Sequence, residues 1–369
     1  MPAERQAIPG KVLVLGASGN FGRRIALALA RKGIPIIAAG RTGGKLAALT
    51  QEAREGPLGS AVFDVTSELD RHLDALRPAV VINTCGPFQG ADISIARAAI
   101  EHGVHYIDLS DGRDFVRGFD TLDSAAKARG VVAITGASTV PALSSAVIEH
   151  FCGEFAEIES LQYGISPGQK TTRGLATTQA VLSYVGKRLE PFAGRTRPMF
   201  GWQDLYREDY PEIGPRWFAN CDIPDLDLLP ARYGIKAIRF SAGLEVPLLH
   251  FGLWLLSWIV RARFPLNLPR FAKPMLAASN LFDVFGTADG GMHIILRGRE
   301  RDGAPHERRW FVIAKSGDGP QIPCVPAIIL GEKLARGEVL ATGAYPCTGL
   351  ISLEEYMAEL KGLDIRQYV

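Results

Sequence analysis

A glycine-rich turn near the start of the chain has residue types and a spacing suited to anion binding. Gly16, Gly19 and Gly22 follow the apolar run Val12–Leu15 and precede a segment with helical periodicity. The first glycine allows a sharp turn, the second leaves room for a phosphate, and the third lets helix and strand pack closely. The helix N-terminus adds unpaired N–H groups and a positive dipole end. The turn predicts a dinucleotide site; the alternative is a glycine-rich turn without a ligand.

The residues that follow the second predicted strand, 35–39, indicate which dinucleotide the chain binds. Arg41, Thr42 and Lys45 follow this strand, and the first acid after it is Glu52. An NAD site places a carboxylate here for the ribose 2′-hydroxyl, whereas an NADP site places cations for the 2′-phosphate. Arg41 can donate charge-assisted hydrogen bonds to that phosphate, and Lys45 adds a second positive charge. We predict NADP as the cofactor; the alternative is two solvated cations at an ordinary helix start.

Further candidate site residues follow the third and fourth predicted strands, because ligands of such sheets bind at the carboxyl ends of the strands. Asp64 and Val65 follow the third strand. Asp64 could accept a hydrogen bond from an adenine amino group or could cap the next helix. Gly86 and Pro87, after the fourth strand, keep backbone close to a ribose and nicotinamide. Cys85 beside them could be a nucleophile, but no histidine at a recognisable spacing accompanies it.

Polar side chains after the fifth and sixth predicted strands are the catalytic candidates. Tyr106 and Asp108 share one face of the fifth strand, because side chains alternate along a strand. Asp111 lies in the next loop, and Ser138 lies in the small-residue loop that leads into the second domain. A tyrosine or carboxylate here could relay the proton that accompanies hydride transfer. The alternative for Asp108 is that it braces the loop.

Composition excludes several classes of protein. The chain has 369 residues, which suits two domains, and a net charge of +2, which gives no bulk argument for nucleic-acid binding. Five cysteines without a C-x-x-C pair argue against a disulfide framework or a metal cluster. The first residues have no apolar core typical of a signal peptide, so we expect a cytoplasmic protein without a metal.

Alternating apolar strands and helical segments predict an α/β fold, with a Rossmann-type doubly wound parallel sheet. The predicted strands are 12–15, 35–39, 61–63, 80–83, 106–109 and 131–135, and the helices include 21–32, 45–55, 92–102 and 120–129. A strand at 158–165 and a hairpin of 291–300 with 308–315 predict a mixed sheet in a second α/β domain for substrate binding and dimerisation. We place the Rossmann domain at 1–141 with the tail 339–369, and the second domain at 142–338.

One apolar segment, 246–260, contains no Asp, Glu, Lys or Arg and includes Trp254 and Trp258. As a helix it would be about 22 Å long, which is short of the roughly 30 Å hydrocarbon core of a bilayer. Arg261 and Arg263 follow it. Three interpretations stay open: a buried or dimer-interface helix, which we favour, a helix on a membrane surface, and a spanning helix.

Together these motifs resemble those of the saccharopine dehydrogenase-like oxidoreductases, a family that includes saccharopine reductase and trans-acting enoyl reductases of lipid biosynthesis. The resemblance rests on 16–22, 41, 81–88, 106–109 and 136–141, and it is weaker at 317–323 and 343–347. It implies an NADP-binding Rossmann domain and an α/β substrate domain, with the C-terminal tail returning to the first domain. It also implies a phosphate turn, which comprises Ser18, Gly19, Asn20 and Phe21. It implies a ribose–nicotinamide loop, which comprises Asn83, Thr84, Cys85, Gly86 and Pro87. The chain departs from lipid-type relatives at 110–112, where the acid is shifted.

We therefore predict an NADP(H)-dependent oxidoreductase that transfers hydride to or from a C=N, C=C or C=O bond of a small or lipid-like substrate in the interdomain cleft. An amino-diacid imine would need cations, for which Lys170, Arg173, Arg188 and Arg195 are available. An apolar enoyl or carbonyl substrate, which we favour, would use 246–260 as an apolar wall. We also expect a homodimer, with peripheral membrane contact through 246–260 left open. The alternative function is a non-catalytic NADP(H)-binding sensor or membrane-associated scaffold.

Overall fold

The computed structural model describes residues 9–53 and 56–369. The chain forms two compact units and passes between them several times. Of the described residues, the first unit comprises those from 9 to 110, 115–139 and 323–347, and the second comprises 111–114, 140–322 and 348–369.

The strands and helices alternate through the first unit and become less regular in the second. The strands are β1 Val12–Leu15, β2 Ile36–Gly40, β3 Leu58–Val62, β4 Val80–Asn83, β5 His105–Asp108, β6 Val132–Thr135, β7 Glu157–Ser166, β8 Tyr206–Tyr210, β9 Gly214–Asn220, β10 Ala237–Ala242, β11 Gly290–Arg299, β12 Pro305–Ala314, β13 Gly343–Pro346 and β14 Ile365–Tyr368. The α-helices are α1 Asn20–Arg31, α2 Gly43–Glu52, α3 Val65–Leu76, α4 Ser94–Glu101, α5 Arg113–Arg117, α6 Asp123–Arg129, α7 Ser144–Phe151, α8 Leu175–Tyr184, α9 Asp225–Tyr233, α10 Pro247–Arg261, α11 Ala272–Asn280, α12 Val325–Ala335 and α13 Leu353–Glu359.

The first unit is built on a seven-stranded parallel sheet in the order β13-β6-β5-β4-β1-β2-β3. Strands β1, β4 and β6 are buried throughout, as expected for a parallel sheet covered on both faces. The register pairs Val12 with both Ile36 and Val80, so the strand order reverses beside β1. A ligand of a doubly wound sheet binds at this reversal. The predicted Rossmann-type fold is confirmed.

The division of the chain differs from the predicted one near the C-terminus. Helix α12, which we predicted in the second domain, belongs to the first unit, because it is apolar almost all round and packs on the sheet. Gly331 of α12 packs closely on Ile82 of β4, because a Cβ added at Gly331 would lie 2.9 Å from Ile82 Cδ1. The tail also divides. Strand β13 pairs with β6 of the first unit, whereas β14 pairs with β12 of the second.

The second unit is built on a seven-stranded mixed sheet in the order β14-β12-β11-β7-β10-β9-β8. Strands β7 and β10 are parallel, and every other neighbouring pair in this sheet is antiparallel. The long hairpin of β11 and β12 matches the predicted one. Tyr210, Phe218, Phe311 and Ile313 form a core cluster on the sheet. The predicted mixed sheet is confirmed.

The apolar segment 246–260 begins at Val246, the buried N-cap residue of α10, and most of its side chains are at least partly exposed. The buried residues of α10 itself are His250 and Ser257, which are polar. The interpretation as a helix buried within this chain is therefore wrong, because the apolar stripe faces outward. Among the described residues, no helix has both the length and the apolar character needed to cross a membrane.

Candidate functional site

The turn between β1 and α1 has the tight backbone that its glycines predict. Gly16 has a φ of +74°, and the Gly19 N–H donates to the Gly16 carbonyl at 2.8 Å. A Cβ at Gly16 would lie 2.8 Å from Thr84 Oγ1, and one at Gly22 would lie 2.5 Å from the Gly16 carbonyl oxygen. No side chain fits at either position without moving neighbouring atoms. The first glycine makes the turn and the third brings α1 against the turn.

The N-terminus of α1 is open to an anion. Gly19 is exposed, and Ser18, Asn20 and Phe21 are partly exposed. The first turn of α1 contains no acidic residue, so nothing there competes with a bound phosphate. Arg24 donates to the Asn20 carbonyl at 2.7 Å and also contacts Asn20 Oδ1, which places a guanidinium one helical turn further on. The arrangement fits the pyrophosphate of a dinucleotide.

Arg41, Thr42 and Lys45 lie beside this turn and are all exposed. The Ala17 N–H donates to the Ala39 carbonyl at 3.0 Å, which fixes the end of β2 next to the phosphate turn. Thr42 is the N-cap residue of α2, so the predicted cations lie before and within its first turn. Such a position suits the 2′-phosphate of NADP.

Asp64 caps α3, as one of its two interpretations expected. Its Oδ1 accepts from the Thr66 N–H at 3.0 Å and from Thr66 Oγ1 at 2.7 Å. These hydrogen bonds, together with the charge of Arg41, lower the pKa of the Asp64 carboxyl. Val65 is the first residue of α3. An adenine contact by Asp64 and Val65 stays a prediction.

The loop after β4 is tied to the phosphate turn. Thr84 Oγ1 donates to the Leu15 carbonyl at 2.7 Å, and Asn83 Oδ1 accepts from the Cys85 N–H at 3.0 Å. Gly86 and Pro87 are exposed and leave the backbone accessible. Burial raises the pKa of the Cys85 thiol to about 11, so this side chain is a thiol at neutral pH. The geometry thus favours a binding role for the loop over a nucleophilic role for Cys85.

Tyr106 and Asp108 are both fully buried, and polar groups surround them. The Tyr106 hydroxyl accepts from Asn83 Nδ2 at 3.1 Å. Asp108 Oδ1 accepts from the Gly136 N–H at 2.9 Å, the Ser110 N–H at 2.9 Å and Thr135 Oγ1 at 2.8 Å. Burial raises the pKa of Asp108 to about 6, against the opposite effect of these hydrogen bonds. Asp108 therefore braces the ends of β5 and β6, which is one of its two interpretations.

The other two catalytic candidates lie in different units. Ser138 is partly exposed, and its N–H donates to the Gly136 carbonyl at 2.8 Å in the first unit. Asp111 is partly exposed and belongs to the second unit, where burial raises the pKa of Tyr184 and the charge of Asp111 adds to that effect. The structure brings Tyr106 and Asp108 together on β5. The catalytic roles of all four residues stay predictions.

The sequence reasoning did not identify a buried acid in the second unit. Asp225 is fully buried, and its Oδ2 accepts from Ser144 Oγ at 2.5 Å and from the Tyr163 hydroxyl at 2.9 Å. Its Oδ1 has no hydrogen-bond partner among the described residues, and burial raises the pKa of Asp225 to about 7. The three residues come from α9, α7 and β7, so no local motif joins them.

Arg113 forms a second buried charge cluster that the sequence reasoning left unassigned. Its side chain is 2% exposed and pairs with Asp227 and, at 3.1 Å, with Asp222. Its guanidinium also donates to the backbone carbonyl of Pro191 at 2.9 Å. Across residues 9–53 and 56–369, no group of three or more His, Cys, Asp or Glu is arranged to hold a metal ion.

Comparisons with known proteins agree with this geometry. Residues 12–134 match the family model of the saccharopine dehydrogenase NADP binding domain. Among solved structures, the apo histidine-tagged saccharopine dehydrogenase (L-Glu forming) from Saccharomyces cerevisiae superposes with a TM-score of 0.66 at 14% identity, over 97% of this chain and 99% of that one. No curated protein sequence matches.

Two further structures are more distant. The WlbA (WbpB) dehydrogenase from Thermus thermophilus, solved with NAD and alpha-ketoglutarate, has a TM-score of 0.42 at 11% identity over 90% of each chain. A substituted meso-dapdh from Clostridium tetani, solved with DAP, has a TM-score of 0.44 at 12% identity over 95% of this chain and 96% of that one. The fold comparison therefore rests on the yeast structure. The match of residues 12–134 to the saccharopine dehydrogenase NADP binding domain confirms the resemblance and a nicotinamide dinucleotide as the cofactor.

Proposed function

We propose that this protein is an NADP(H)-dependent oxidoreductase that prefers NADPH to NADH. The observation that carries the proposal is the exposed Arg41 at the end of β2, beside an acid-free phosphate turn. An NAD site has a carboxylate at this place. Lys45 adds charge in the first turn of α2, so the 2′-phosphate has two cations within reach of one strand end.

Each part of the first unit has a separate role in this proposal. When bound, the dinucleotide supplies hydride chemistry at its nicotinamide. The backbone from Ser18 to Phe21 binds the pyrophosphate, and the loop from Asn83 to Pro87 positions the ribose and nicotinamide. Asp108 is a positioning residue, because it is buried and holds the backbone of Gly136.

The proton that accompanies hydride transfer to a C=N, C=C or C=O bond needs a donor with access to substrate. Tyr106 and Asp108 are fully buried, so we assign them to support of the loops rather than to contact with substrate. Ser138 and Asp111 are partly exposed and stay our candidates for that contact. The predicted location of the substrate, and the type of substrate bond that takes part in hydride transfer, are parts of this proposal.

An apolar substrate is better supported than an amino diacid. Arg173, one of four cations considered for a diacid, already pairs with Asp283 at 2.7 Å and donates to Asn280 Oδ1 at 2.8 Å. Recruiting its guanidinium would break contacts within the second unit. The homodimer and the cytoplasmic location stay predictions.

The test is a titration with NADPH and NADH, followed by the fluorescence of the reduced nicotinamide. We expect at least a tenfold preference for NADPH. Arg41→Ala should weaken NADPH binding about ten- to hundredfold and leave NADH binding nearly unchanged, since one charge-assisted contact is lost. Arg129→Ala, at an exposed arginine on α6, is the matched control. Equal affinity for both dinucleotides, or an equal loss of both in Arg41→Ala, would refute the preference.

A second candidate function is an NADP(H) sensor without turnover. The full burial of Tyr106 and Asp108 favours it, because neither side chain is exposed to donate a proton. A panel of carbonyls, imines and enoyl thioesters separates the two functions. Substrate-dependent oxidation of bound NADPH supports the enzyme, whereas NADPH that stays reduced against the whole panel supports the sensor.

A further inference from the structure

Helix α10 has its polar and apolar faces reversed relative to an ordinary surface helix. Leu248, Leu255 and Trp258 are 66%, 58% and 44% exposed, and Phe251 and Ile259 are also exposed. Their spacing of three and four residues places them on one face of the helix. A helix that packs on a globular core normally turns such a stripe inward. Phe251 packs edge-to-face on Trp217, with the ring centres 5.3 Å apart, whereas the other four side chains of this face remain at least 38% exposed.

The opposite face of α10 is polar and fixed to the second unit. His250 and Ser257 are fully buried. Trp202 Nε1 donates to the His250 carbonyl at 3.1 Å, and Gln203 Nε2 donates to Ser257 Oγ at 3.3 Å. These contacts hold the helix in one orientation, so the outward position of the apolar stripe follows from the packing of the other face.

The residues after α10 add further exposed apolar side chains and positive charge. Phe264 and Phe271 are 63% and 48% exposed. Arg263, Arg270 and Lys273 are exposed, and none has an ion-pair partner among the described residues. The sequence contains no Asp or Glu from 246 to 282. We call the exposed apolar face of α10, with Phe264, Phe271 and these three cations, the basic apolar surface.

We propose that the basic apolar surface binds the surface of an anionic lipid membrane. Apolar and aromatic side chains enter the boundary between headgroups and acyl chains, and arginine and lysine attract anionic headgroups. Trp258 suits this boundary because tryptophan is enriched at membrane interfaces, and the Arg261 guanidinium lies 4.8 Å from its ring centre. The helix is about 22 Å long and would lie in the plane of the membrane.

The charge of the basic apolar surface favours an anionic membrane over a second copy of the chain as its partner. A two-fold interface places the same patch on both subunits, so two acid-free patches bearing the same cations would face each other. That arrangement brings like charges together without a counter-charge, whereas an anionic lipid surface supplies the counter-charge. The basic apolar surface therefore fits a membrane better than itself.

Flotation with phosphatidylcholine vesicles, with and without phosphatidylserine, tests the proposal on the 369-residue protein. We expect binding to the anionic vesicles that weakens as salt is raised. Leu255→Gln with Trp258→Gln should reduce binding at least tenfold, and Val339→Gln, at a residue 96% exposed outside this surface, should not. The two altered side chains are exposed, so the fold is expected to survive.

The charges are tested separately. Arg263→Gln, Arg270→Gln and Lys273→Gln should each weaken binding about fivefold, since each removes one cation near the surface. Arg301→Gln, at an exposed residue of the turn between β11 and β12, is the control. NADPH affinity should be unchanged in every variant, which separates this proposal from the proposed function. Absence of vesicle binding by the parent protein, or a dimer that Leu255→Gln with Trp258→Gln converts to a monomer without affecting vesicle binding, would overturn it.

Discussion

Asp225 should make the stability of the second unit depend on pH in a direction opposite to that of most carboxylates. Burial raises its pKa from 3.8 to about 7, so the folded protein binds a proton that the unfolded chain releases. The stabilising contribution is fully present below about pH 4 and is lost as the pH rises through about 7. At 1.36 kcal/mol per pKa unit the loss is about 4 kcal/mol, of which about 3 kcal/mol falls between pH 5 and pH 9.

Asp225→Asn removes the titrating group and keeps its shape. The amide oxygen can still accept from Tyr163, and any cost of placing an amide nitrogen at the unpartnered Oδ1 position is the same at every pH. The variant should therefore gain about 3 kcal/mol relative to the parent between pH 5 and pH 9.

Urea unfolding followed by tryptophan fluorescence measures this difference. All five tryptophans lie between 202 and 310, within the second unit, so the signal reports on that unit. Asp209→Asn, at an exposed carboxylate of β8, should track the parent at each pH. A gap between Asp225→Asn and the parent that stays constant from pH 5 to pH 9 would show that Asp225 does not titrate as argued.

Three shorter predictions concern other residues. Gly22→Ala should weaken NADPH binding at least tenfold, because its Cβ would lie 2.5 Å from the Gly16 carbonyl oxygen; binding equal to the parent would contradict the close packing. Alkylation of Cys85 by iodoacetamide, followed by peptide mass spectrometry, should accelerate about tenfold per pH unit from pH 8 to pH 10, since burial raises its pKa to about 11; a plateau near pH 8 would refute this. Arg113→Met should lower the free energy of unfolding by about 1.5–3 kcal/mol, because the buried Arg113 guanidinium no longer donates charge-assisted hydrogen bonds to the partly exposed Asp222 and Asp227; a urea midpoint unchanged from the parent would count against that cost.

Local sequence patterns predicted most of the first unit. The apolar runs of β1, β2, β4, β5 and β6 were found within a few residues, because a strand covered on both faces must be apolar and short. Strand β3 was predicted at 61–63 and lies at Leu58–Val62, where no residue is buried and the apolar signal is weak. The phosphate turn was equally visible, since its glycines act on their immediate neighbours. What escaped was the position of α12 in the first unit and of β14 in the second. Their periodicity indicates helix and strand but not which sheet they join.

Prediction of the site was limited in the same way, to features that depend on residues close together in the sequence. Arg41 could be identified from its place after a strand, and so could the two alternatives for Asp64. The Asp225 cluster could not, because Ser144 and Tyr163 contact it from elements 81 and 62 residues away. Burial also could not be foreseen for Tyr106, since a tyrosine on one face of a strand fits both a core and a cleft. Such features depend on tertiary contacts.

The late strand β13 has a consequence for how the protein is made. The recognisable NADP-binding segment ends at residue 134, yet the sheet gains its last strand only from Gly343–Pro346. During synthesis β6 remains an open edge until residues 343–346 have emerged, and open edges invite pairing with other chains. A protein truncated after residue 134 should aggregate through that edge. The segment recognised by homology is therefore shorter than the smallest piece that can close its own sheet.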